Sequence, residues 1–263
     1  MQKMNLTSHR QHKLIPLAML LVSTVFAQDS QPLGDVALRL RAEQAQTVTI
    51  SPNARADQIL NLVAETYKHC TTYSDSGVLT TTDTPGRTRT SNFSTAFVRP
   101  DRFRFEYHDE NLVTHGPDLY LVWRQGQDVR FWSDLATDVK SAVSSGIALH
   151  SAIAMATGVT LGSSFLIPSL LLPDEISGRY LTDMKSATRL DDARLGEVNC
   201  FRIQGKLAKY STTIWIDSKT LLIRKIETAD DFDSFHNEQT ITYEPVINEQ
   251  VPQQKLAFSP PTR

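Results

Sequence analysis

The stretch Phe97-Val98-Arg99-Pro100-Asp101-Arg102-Phe103-Arg104-Phe105-Glu106-Tyr107 decides the fold. Its middle, Arg99-Pro100-Asp101, predicts a corner, because proline fixes its own backbone and favours turns. After the corner, charged and aromatic residues alternate, with the aromatic ones at Phe103, Phe105 and Tyr107. Alternation with a period of two is typical of a strand that buries one face. We therefore predict a strand whose inner face is aromatic.

Similar strand patterns lie on both sides of this stretch. Besides the aromatic strand itself, the predicted strands are 76–82, 88–98, 119–124, 129–133, 198–207, 212–217, 221–228, 239–244 and a short final strand at 256–258. Turn signals at 84–87, 125–127 and 217–220 join several of them as hairpins. The total is about nine to eleven antiparallel strands, and a sheet of that size is expected to curl.

One amphipathic helix precedes the strands. An apolar stripe over about residues 54–71, with Asn53 as the N-cap, contains Ile59, Val63, Tyr67 and Cys70. One face of an antiparallel sheet must be covered, and this helix and a mid-chain apolar segment are the available cover. The predicted class is therefore α+β, a curved antiparallel sheet around an N-terminal helix and a mid-chain helical insertion.

The mid-chain segment is uncharged. Ser141 to Pro173 contains no Asp, Glu, Lys or Arg, so it cannot face water on all sides. Gly158, Gly162 and Pro168 interrupt it, which disfavours a membrane-spanning helix. The pattern predicts two short helices, over about 141–157 and 163–172. Two further interpretations remain open from the residues alone: an ordinary core hairpin, or a helical cover over a lipid-sized cavity.

The N-terminus has the pattern of a secretory signal peptide. Arg10 and Lys13 form a basic region, residues 14–26 are apolar, and Val25-Phe26-Ala27 fits the small-residue cleavage rule. We predict a signal peptide over residues 1–27 with cleavage near Ala27. A flexible leader over 28–51 and one domain over 52–263 are expected to follow. The mature chain is expected to be soluble and exported.

Charge and cysteine content exclude some classes of function. The net charge is −2 and the pI is about 6.4, so no electrostatic argument supports nucleic-acid binding. In an oxidising compartment, Cys70 and Cys200 are candidates for a disulfide, and the alternative is two buried thiols. A bond would close a loop of roughly 130 residues and contribute up to ~5 kcal/mol. Their wide separation indicates neither a zinc site nor redox chemistry.

Motifs of catalysis are missing from the sequence. It contains no GxSxG, HExxH, P-loop or GxGxxG pattern. His108 and His115 flank Asp109 and Glu110, which makes a loop metal site a weak alternative. We therefore expect no catalytic residues, no metal and no cofactor, and a protein that is not an enzyme.

Several short motifs resemble one known family. Phe97–Phe105 resembles the RP-x-x-F strand corner of the periplasmic lipoprotein carriers of the LolA type, in the superfamily of LolA-, LolB- and RseB-like half-barrels. Gly126–Trp132 resembles the hairpin that follows it. Ser163–Pro168 lies where that family has its apolar mid-chain helix, and Leu256–Pro261 resembles its terminal F-x-F-x-P-P. The resemblance covers about residues 54–261 and is that of a divergent exported relative.

The resemblance implies a half-barrel with an apolar cavity for acyl chains, most naturally in the bacterial periplasm. Arg99 matches the family's arginine that hydrogen-bonds the lid and is linked to its opening. The full set of implied cavity and lid residues is Arg99, Phe103, Phe105, Tyr107, Trp132, Leu161, Phe165, Leu166, Leu170 and Leu171. The longer mid-chain segment and the pair of cysteines depart from the family's pattern, which leaves the cargo open.

Three hypotheses of different classes follow. The first is a carrier of lipid or lipoprotein acyl chains, with membrane-associated donor or acceptor proteins as further expected partners. The second is a non-transporting envelope sensor or partner-binding protein on the same fold, with a filled core. The third is a secreted enzyme with a polar cleft of converging ionisable groups, which the sequence does not show.

Overall fold

The computed structural model describes residues 50–51, 53–83, 86–109, 118–134, 142–178, 180–232 and 235–260. All of them lie in one compact unit, Thr47–Arg263. The predicted signal peptide, nearly all of the leader, the turn at 84–85 and the loop with His115 lie outside the described residues.

The described chain alternates between long hairpins and a short helical insertion. Its helices are α1 (Ala56–His69), α2 (Leu149–Thr157), α3 (Ser163–Leu166) and α4 (Pro168–Leu171). Its strands are β1 (Thr72–Thr82), β2 (Thr88–Val98), β3 (Arg102–Asp109), β4 (Asp118–Gln125), β5 (Asp128–Asp134), β6 (Ala142–Ser145), β7 (Lys185–Leu195), β8 (Val198–Leu207), β9 (Tyr210–Asp217), β10 (Ile223–Phe232), β11 (Phe235–Tyr243) and β12 (Val246–Ile247). Short 3-10 helices occupy Leu181–Asp183 and Gln253–Leu256.

The strands form one open, curved antiparallel sheet of 12 strands. Their order is β6-β5-β4-β3-β2-β1-β11-β10-β9-β8-β7, and β12 pairs with β1. Along this order, neighbours in space are neighbours in the chain except at β1 and β11, where Gly77 lies opposite Tyr243. Strands β6 and β7 are the two edges. The predicted α+β class and the curved sheet around helices are confirmed.

The inner face of the sheet is the one that packs against α1 and the helical insertion. The alternation predicted for β3 is confirmed, because Phe103, Phe105 and Tyr107 are buried in the main core while the residues between them are half-buried. Along a row across the strands, Tyr73 lies opposite Phe97, which lies opposite Phe103. Aromatic side chains from several strands therefore line one continuous apolar floor.

Helix α1 lies on this floor. Its buried residues repeat at helical spacing, so one apolar stripe faces the sheet: Ala56, Ile59, Leu60, Val63 and Tyr67. The helix is close to the prediction of 54–71. Its N-cap is Arg55 rather than the predicted Asn53, and the side chain of Gln58 accepts a hydrogen bond from the Arg55 backbone N–H.

The helical insertion, residues 149–171 with α2, α3 and α4, is named the lid. It is part of the connection between the two edge strands β6 and β7, so it spans the sheet from one edge to the other. Ile167, Leu170 and Leu171 are almost fully buried in the same core as α1 and the aromatic floor. The lid is therefore closed in this structure.

Two local predictions are wrong, and one long strand was not predicted. Residues 142–145 form strand β6 rather than the start of a helix, and residues 253–256 form a 3-10 helix where a last strand was predicted nearby. Strand β7 was not predicted at all. None of its residues is fully buried and its register shifts twice, so the alternation of half-buried and exposed residues changes phase along the strand.

The candidate disulfide between Cys70 and Cys200 is absent from this structure, which has the alternative of two buried thiols. Both residues are buried free thiols, and each has a different hydrogen-bond acceptor. Cys70 ends α1 and donates to the carbonyl of Tyr67 at 3.2 Å, whereas Cys200 lies in β8 between Ala193 and Asp217. Burial raises the pKa of the Cys70 thiol to about 11, so this thiol is not activated.

Within the described residues, no helix is both long enough and apolar enough to span a bilayer. The same residues contain no group of His, Cys, Asp and Glu side chains arranged to hold a metal ion.

Candidate functional site

Arg99 connects three elements at the end of the lid. Its Nε donates to the carbonyl of Cys70 at 2.8 Å, and one terminal nitrogen donates to Tyr67 at 3.2 Å and to Leu171 at 2.8 Å. Tyr67 and Cys70 lie at the C-terminal end of α1, and Leu171 is the last residue of α4. The corner after β2 therefore positions one guanidinium that satisfies carbonyls of both the first helix and the lid.

Two further side chains hold the segment that follows α4. The Tyr180 hydroxyl donates to the carbonyl of Pro173 at 2.7 Å. Arg124, which is almost fully buried on β4, forms an ion pair with Glu175 at 2.5 Å. The sequence analysis missed both residues, since neither belongs to a motif. Together with Arg99 they hold the end of the lid and the residues that follow it, up to Glu175, and we name these three side chains the latch.

A cleft of about 350 Å³ opens beside the latch. Its lining includes the basic side chains of Lys68 and Arg99, the side chain of His69, and the carboxylates of Asp174 and Glu175. A second cleft of about 500 Å³ is larger, but Asn53, Ala54 and residues 189–192 line it, and it is polar and without any lid residue. Of these two clefts, the first is the one that contacts Leu172, the residue directly after the lid.

The structure brings most of the sequence-predicted residues together under or in the lid. Phe103, Phe105 and Tyr107 lie in the floor, and Leu170 and Leu171 are buried against it. Phe165 and Leu166 are half-buried and pack on the same core. These apolar residues therefore belong to one hydrophobic core, and Arg99 lies at its edge beside Leu171.

Trp132 is a correction, because it lies on the opposite face of the sheet. It packs with Leu119, Leu121 and Trp123 in a separate cluster, and Phe258 from the C-terminal segment covers them. The Trp123 indole donates to the carbonyl of Leu256 at 2.8 Å, which fixes this segment on the outer face. Phe131, its neighbour in the chain, is the residue of this pair that faces the lid side.

Leu161 is the second correction, because its side chain is 46% exposed instead of facing a cavity. It lies in the turn between α2 and α3 with a positive φ of 48°. Its carbonyl accepts a hydrogen bond from Gln239 of β11 at 2.9 Å. The turn is therefore fixed to the sheet with the leucine side chain pointing outward.

A buried carboxylate in the floor was not predicted. Asp75 lies in β1 on the same face as Tyr73, and its Oδ2 accepts a hydrogen bond from the Tyr73 hydroxyl at 2.7 Å. Its Oδ1 accepts another from the backbone N–H of Thr95 at 2.7 Å. The buried Tyr243 hydroxyl nearby has no partner among the described residues.

Burial raises the pKa of Asp75 to about 6, and the hydrogen bonds from Tyr73 and Thr95 oppose this effect only in part. The buried hydroxyl of Tyr73 also has a raised pKa, first because of burial and then because of the Asp75 charge. The floor therefore contains one ionisable group that changes charge near neutral pH.

Comparison with known proteins finds similarity only at the level of solved structures. No family model matches the chain, and no curated protein matches its sequence. A structure of a putative outer membrane lipoprotein-sorting protein domain from Vibrio parahaemolyticus is 10% identical, with a TM-score of 0.35, over 75% of this chain and 94% of that one. A LolA superfamily protein from Nitrosomonas europaea is 8% identical, with a TM-score of 0.29, over 78% and 98%.

A third similar structure is the complex of MucA and MucB from Pseudomonas aeruginosa. It is 11% identical, with a TM-score of 0.44, over 78% of this chain and 61% of that one. At these identities the similarity concerns the fold alone. The strand order and the helices of the chain itself show an α+β fold, an open curved antiparallel sheet around helices, as the sequence predicted.

Proposed function

We propose that this chain is an exported, non-catalytic carrier that binds lipid or lipoprotein acyl chains between the inner face of the sheet and the lid. The observation that carries the proposal is the hydrogen bonding of Arg99, which joins the carbonyl of Leu171 in the lid to the end of α1. One polar side chain thus holds an apolar cover over an apolar floor.

The side chains beneath the latch have the chemistry that an acyl chain needs. Ile167, Leu170 and Leu171 point into a core that also contains Phe103 and Phe105. If the lid moves outward, these side chains leave an apolar space that an acyl chain can fill in their place. Burial of about 0.8 kcal/mol per methylene gives a long acyl chain about 10 kcal/mol before ordering costs.

Opening of the lid costs free energy because it breaks contacts that the closed lid makes. Opening breaks the hydrogen bond from Arg99 to Leu171 and exposes the leucines of α4, while the hydrogen bonds from Arg99 to α1 can remain. A hydrogen bond to a charged group contributes about 1.5–3 kcal/mol. The energy of acyl burial is larger than this single bond, and it must also offset the exposure of the α4 leucines, about 1.5–3 kcal/mol for each side chain.

A second candidate function is supported by the same packing. Ile167 is 1% exposed, Leu170 is 3% and Leu171 is 0%, so the lid itself fills the space above the floor. A protein that binds a partner on this fold, as a sensor of the cell envelope, needs no cargo and would keep its lid in this position. The test below separates the two candidates.

The test is mass spectrometry of an organic extract from the purified chain, Gln28 to Arg263, before and after incubation with lipid vesicles. We expect about one equivalent of fatty acid, phospholipid or lipopeptide per chain. A clean extract in both conditions would contradict the carrier and favour the partner-binding protein.

A substitution in the lid sharpens this test. Leu166 packs on the core, so Leu166→Glu places a charge under the lid and is expected to abolish acyl binding while the sheet still folds. The matched control is Val246→Glu, which places the same charge on an exposed residue of β12. If Leu166→Glu folds and retains acyl chains as well as the control does, the lid is not the cover of the site.

A further inference from the structure

The outward side of the lid is apolar as well as its inward side. All residues from Ile147 to Leu166 are described, and the exposed ones are Ala148, His150, Ala154, Met155, Gly158, Val159 and Leu161. Met155 is 48% exposed, Val159 is 44% and Leu161 is 46%, and these are three of the five large apolar residues described as exposed. Met155 and Val159 are four residues apart, so they lie on one face of α2 and its continuation. We name residues 155–162 the lid tip.

Polar side chains around the lid tip form hydrogen bonds within the lid. The Thr157 hydroxyl donates to Ile153 at 2.7 Å, the Thr160 hydroxyl to Ser164 at 3.0 Å, and the Ser163 hydroxyl to Thr160 at 2.9 Å.

Two backbone donors of the turn are also satisfied within the lid. The N–H of Thr160 donates to Ala156 at 3.0 Å and that of Gly162 donates to Thr157 at 3.0 Å. The lid tip can therefore enter an apolar medium without leaving these groups unpaired.

Leu161 has a strained backbone conformation, and its exposed side chain gains no burial that would offset the strain. Its φ of 48° is in the left-handed region, which costs a side chain with a Cβ about 1–2 kcal/mol. Gln239 holds the turn by its bond to the Leu161 carbonyl, so the side chain stays outward. Strain that is not compensated by burial in the folded chain is typical of residues that meet a ligand.

We infer that the lid tip is a membrane-docking surface that inserts Met155, Val159 and Leu161 into the interface of a lipid bilayer. The charge pattern favours a bilayer over a protein partner, because Ser141 to Pro173 carries no Asp, Glu, Lys or Arg. An uncharged apolar tip matches the hydrocarbon boundary of any bilayer. It requires no anionic lipid, so its binding is insensitive to salt.

This surface is separate from the acyl site beneath the lid. Leu166, Leu170 and Leu171 pack inward on the core, whereas the three tip side chains point away from it. Docking at the tip would bring the lid, rather than the outer face of the sheet, to the membrane. This docking role goes beyond the proposed carrier function and does not require that any acyl chain be bound.

The test is flotation of the chain from Gln28 to Arg263 with vesicles of pure phosphatidylcholine, at low and high salt. We expect binding at both salt concentrations. A triple variant with Met155→Ser, Val159→Ser and Leu161→Asn is expected to bind vesicles at least about tenfold more weakly, because three half-exposed apolar groups are lost. The matched control carries Val78→Ser and Val246→Ser, which remove exposed valines in β1 and β12 and should leave binding unchanged.

Leu161→Asn alone gives a readout that a purely structural role would not produce. Asparagine tolerates the left-handed region, so the variant should keep or raise the melting temperature while it weakens vesicle binding. A tryptophan at Val159 should shift its emission to the blue on binding and be quenched by brominated lipid. Binding that needs anionic lipid, disappears at high salt, or is equal in the triple variant would overturn the inference, as would self-association through the tip without vesicle binding.

Leu166→Glu distinguishes this inference from the proposed function. If that variant loses acyl chains but still floats with phosphatidylcholine vesicles, both proposals stand. If it floats normally and the wild-type extract is clean, docking stands and the carrier fails. If the wild type carries acyl chains but never floats with vesicles, the carrier stands and docking fails.

Discussion

Replacement of Asp75 by asparagine is expected to stabilise the protein at neutral pH and to remove one component of its pH dependence. Asp75 is 5% exposed and lies between the hydroxyl of Tyr73 and the backbone N–H of Thr95. An asparagine side chain can keep both contacts, since its oxygen accepts from Thr95 and its amide group donates to the Tyr73 oxygen. The substitution therefore removes the charge with little change of shape.

The size of the effect follows from the pKa of Asp75, which burial raises from 3.8 to about 6. A difference of one in pKa corresponds to about 1.4 kcal/mol, so the whole rise corresponds to about 3 kcal/mol. Because the folded chain holds this proton more tightly than the unfolded chain, stability from this group is present at low pH. It is lost as the pH rises from about 4 through about 6. Above that range the ionised carboxylate destabilises the fold by the full amount.

The assay is denaturant unfolding of both proteins at a series of pH values from about 4 to about 8. The difference in unfolding free energy between Asp75→Asn and wild type cancels the other titrating groups. It should rise with pH by up to about 3 kcal/mol and level off above the pKa. A difference that stays constant over this range would refute the reasoning, because the carboxylate would then have the same pKa in the folded and unfolded chains.

Two further predictions concern the latch and the floor. Arg99→Lys keeps the charge but cannot span three carbonyls, so the unfolding free energy should fall by about 1–3 kcal/mol. Amide hydrogen exchange should then accelerate in residues 163–171 and stay unchanged in β8; equal acceleration in both would contradict the latch. In Gly77→Ala the new Cβ would lie 2.0 Å from the ring of Phe93, which should cost about 1–3 kcal/mol. Denaturant unfolding measures this loss, and Phe93→Leu should relieve much of it; an alanine tolerated without loss would contradict the close packing.

The sequence was sufficient for the strands with one buried face and insufficient at the edges. In β3 the aromatic residues are the buried ones and the charged residues between them are half-buried, so the alternation in the sequence predicted the inner face correctly. In β7 no residue is fully buried and the register shifts between Lys185 and Thr188 and again between Leu190 and Ala193, so no single alternation runs through the strand. Ala142–Ser145 is uncharged and short, and such a segment does not distinguish a strand from a helix.

The site was predictable where its residues belong to patterns and unpredictable where tertiary packing decides. Arg99 was found because it adjoins a proline corner, but Arg124 and Tyr180 are isolated polar residues in the sequence. Trp132 and Phe131 are adjacent and both buried, because the C-terminal segment covers the outer face, so composition could not assign their faces. Asp75 precedes the start of the strand predicted at residue 76, so its burial was not expected.

The pairing of β1 with β11 has a consequence for how the chain assembles. Every other pairing along the main strand order joins elements that are adjacent in sequence, so each half of the sheet can grow by local hairpins. Joining Gly77 to Tyr243 is the one step along that order that must bring distant parts of the chain together, and the lid lies inside the loop that it closes. The segment that covers the floor in the native state is enclosed only when the two halves meet, so we expect the lid to be a late element of folding.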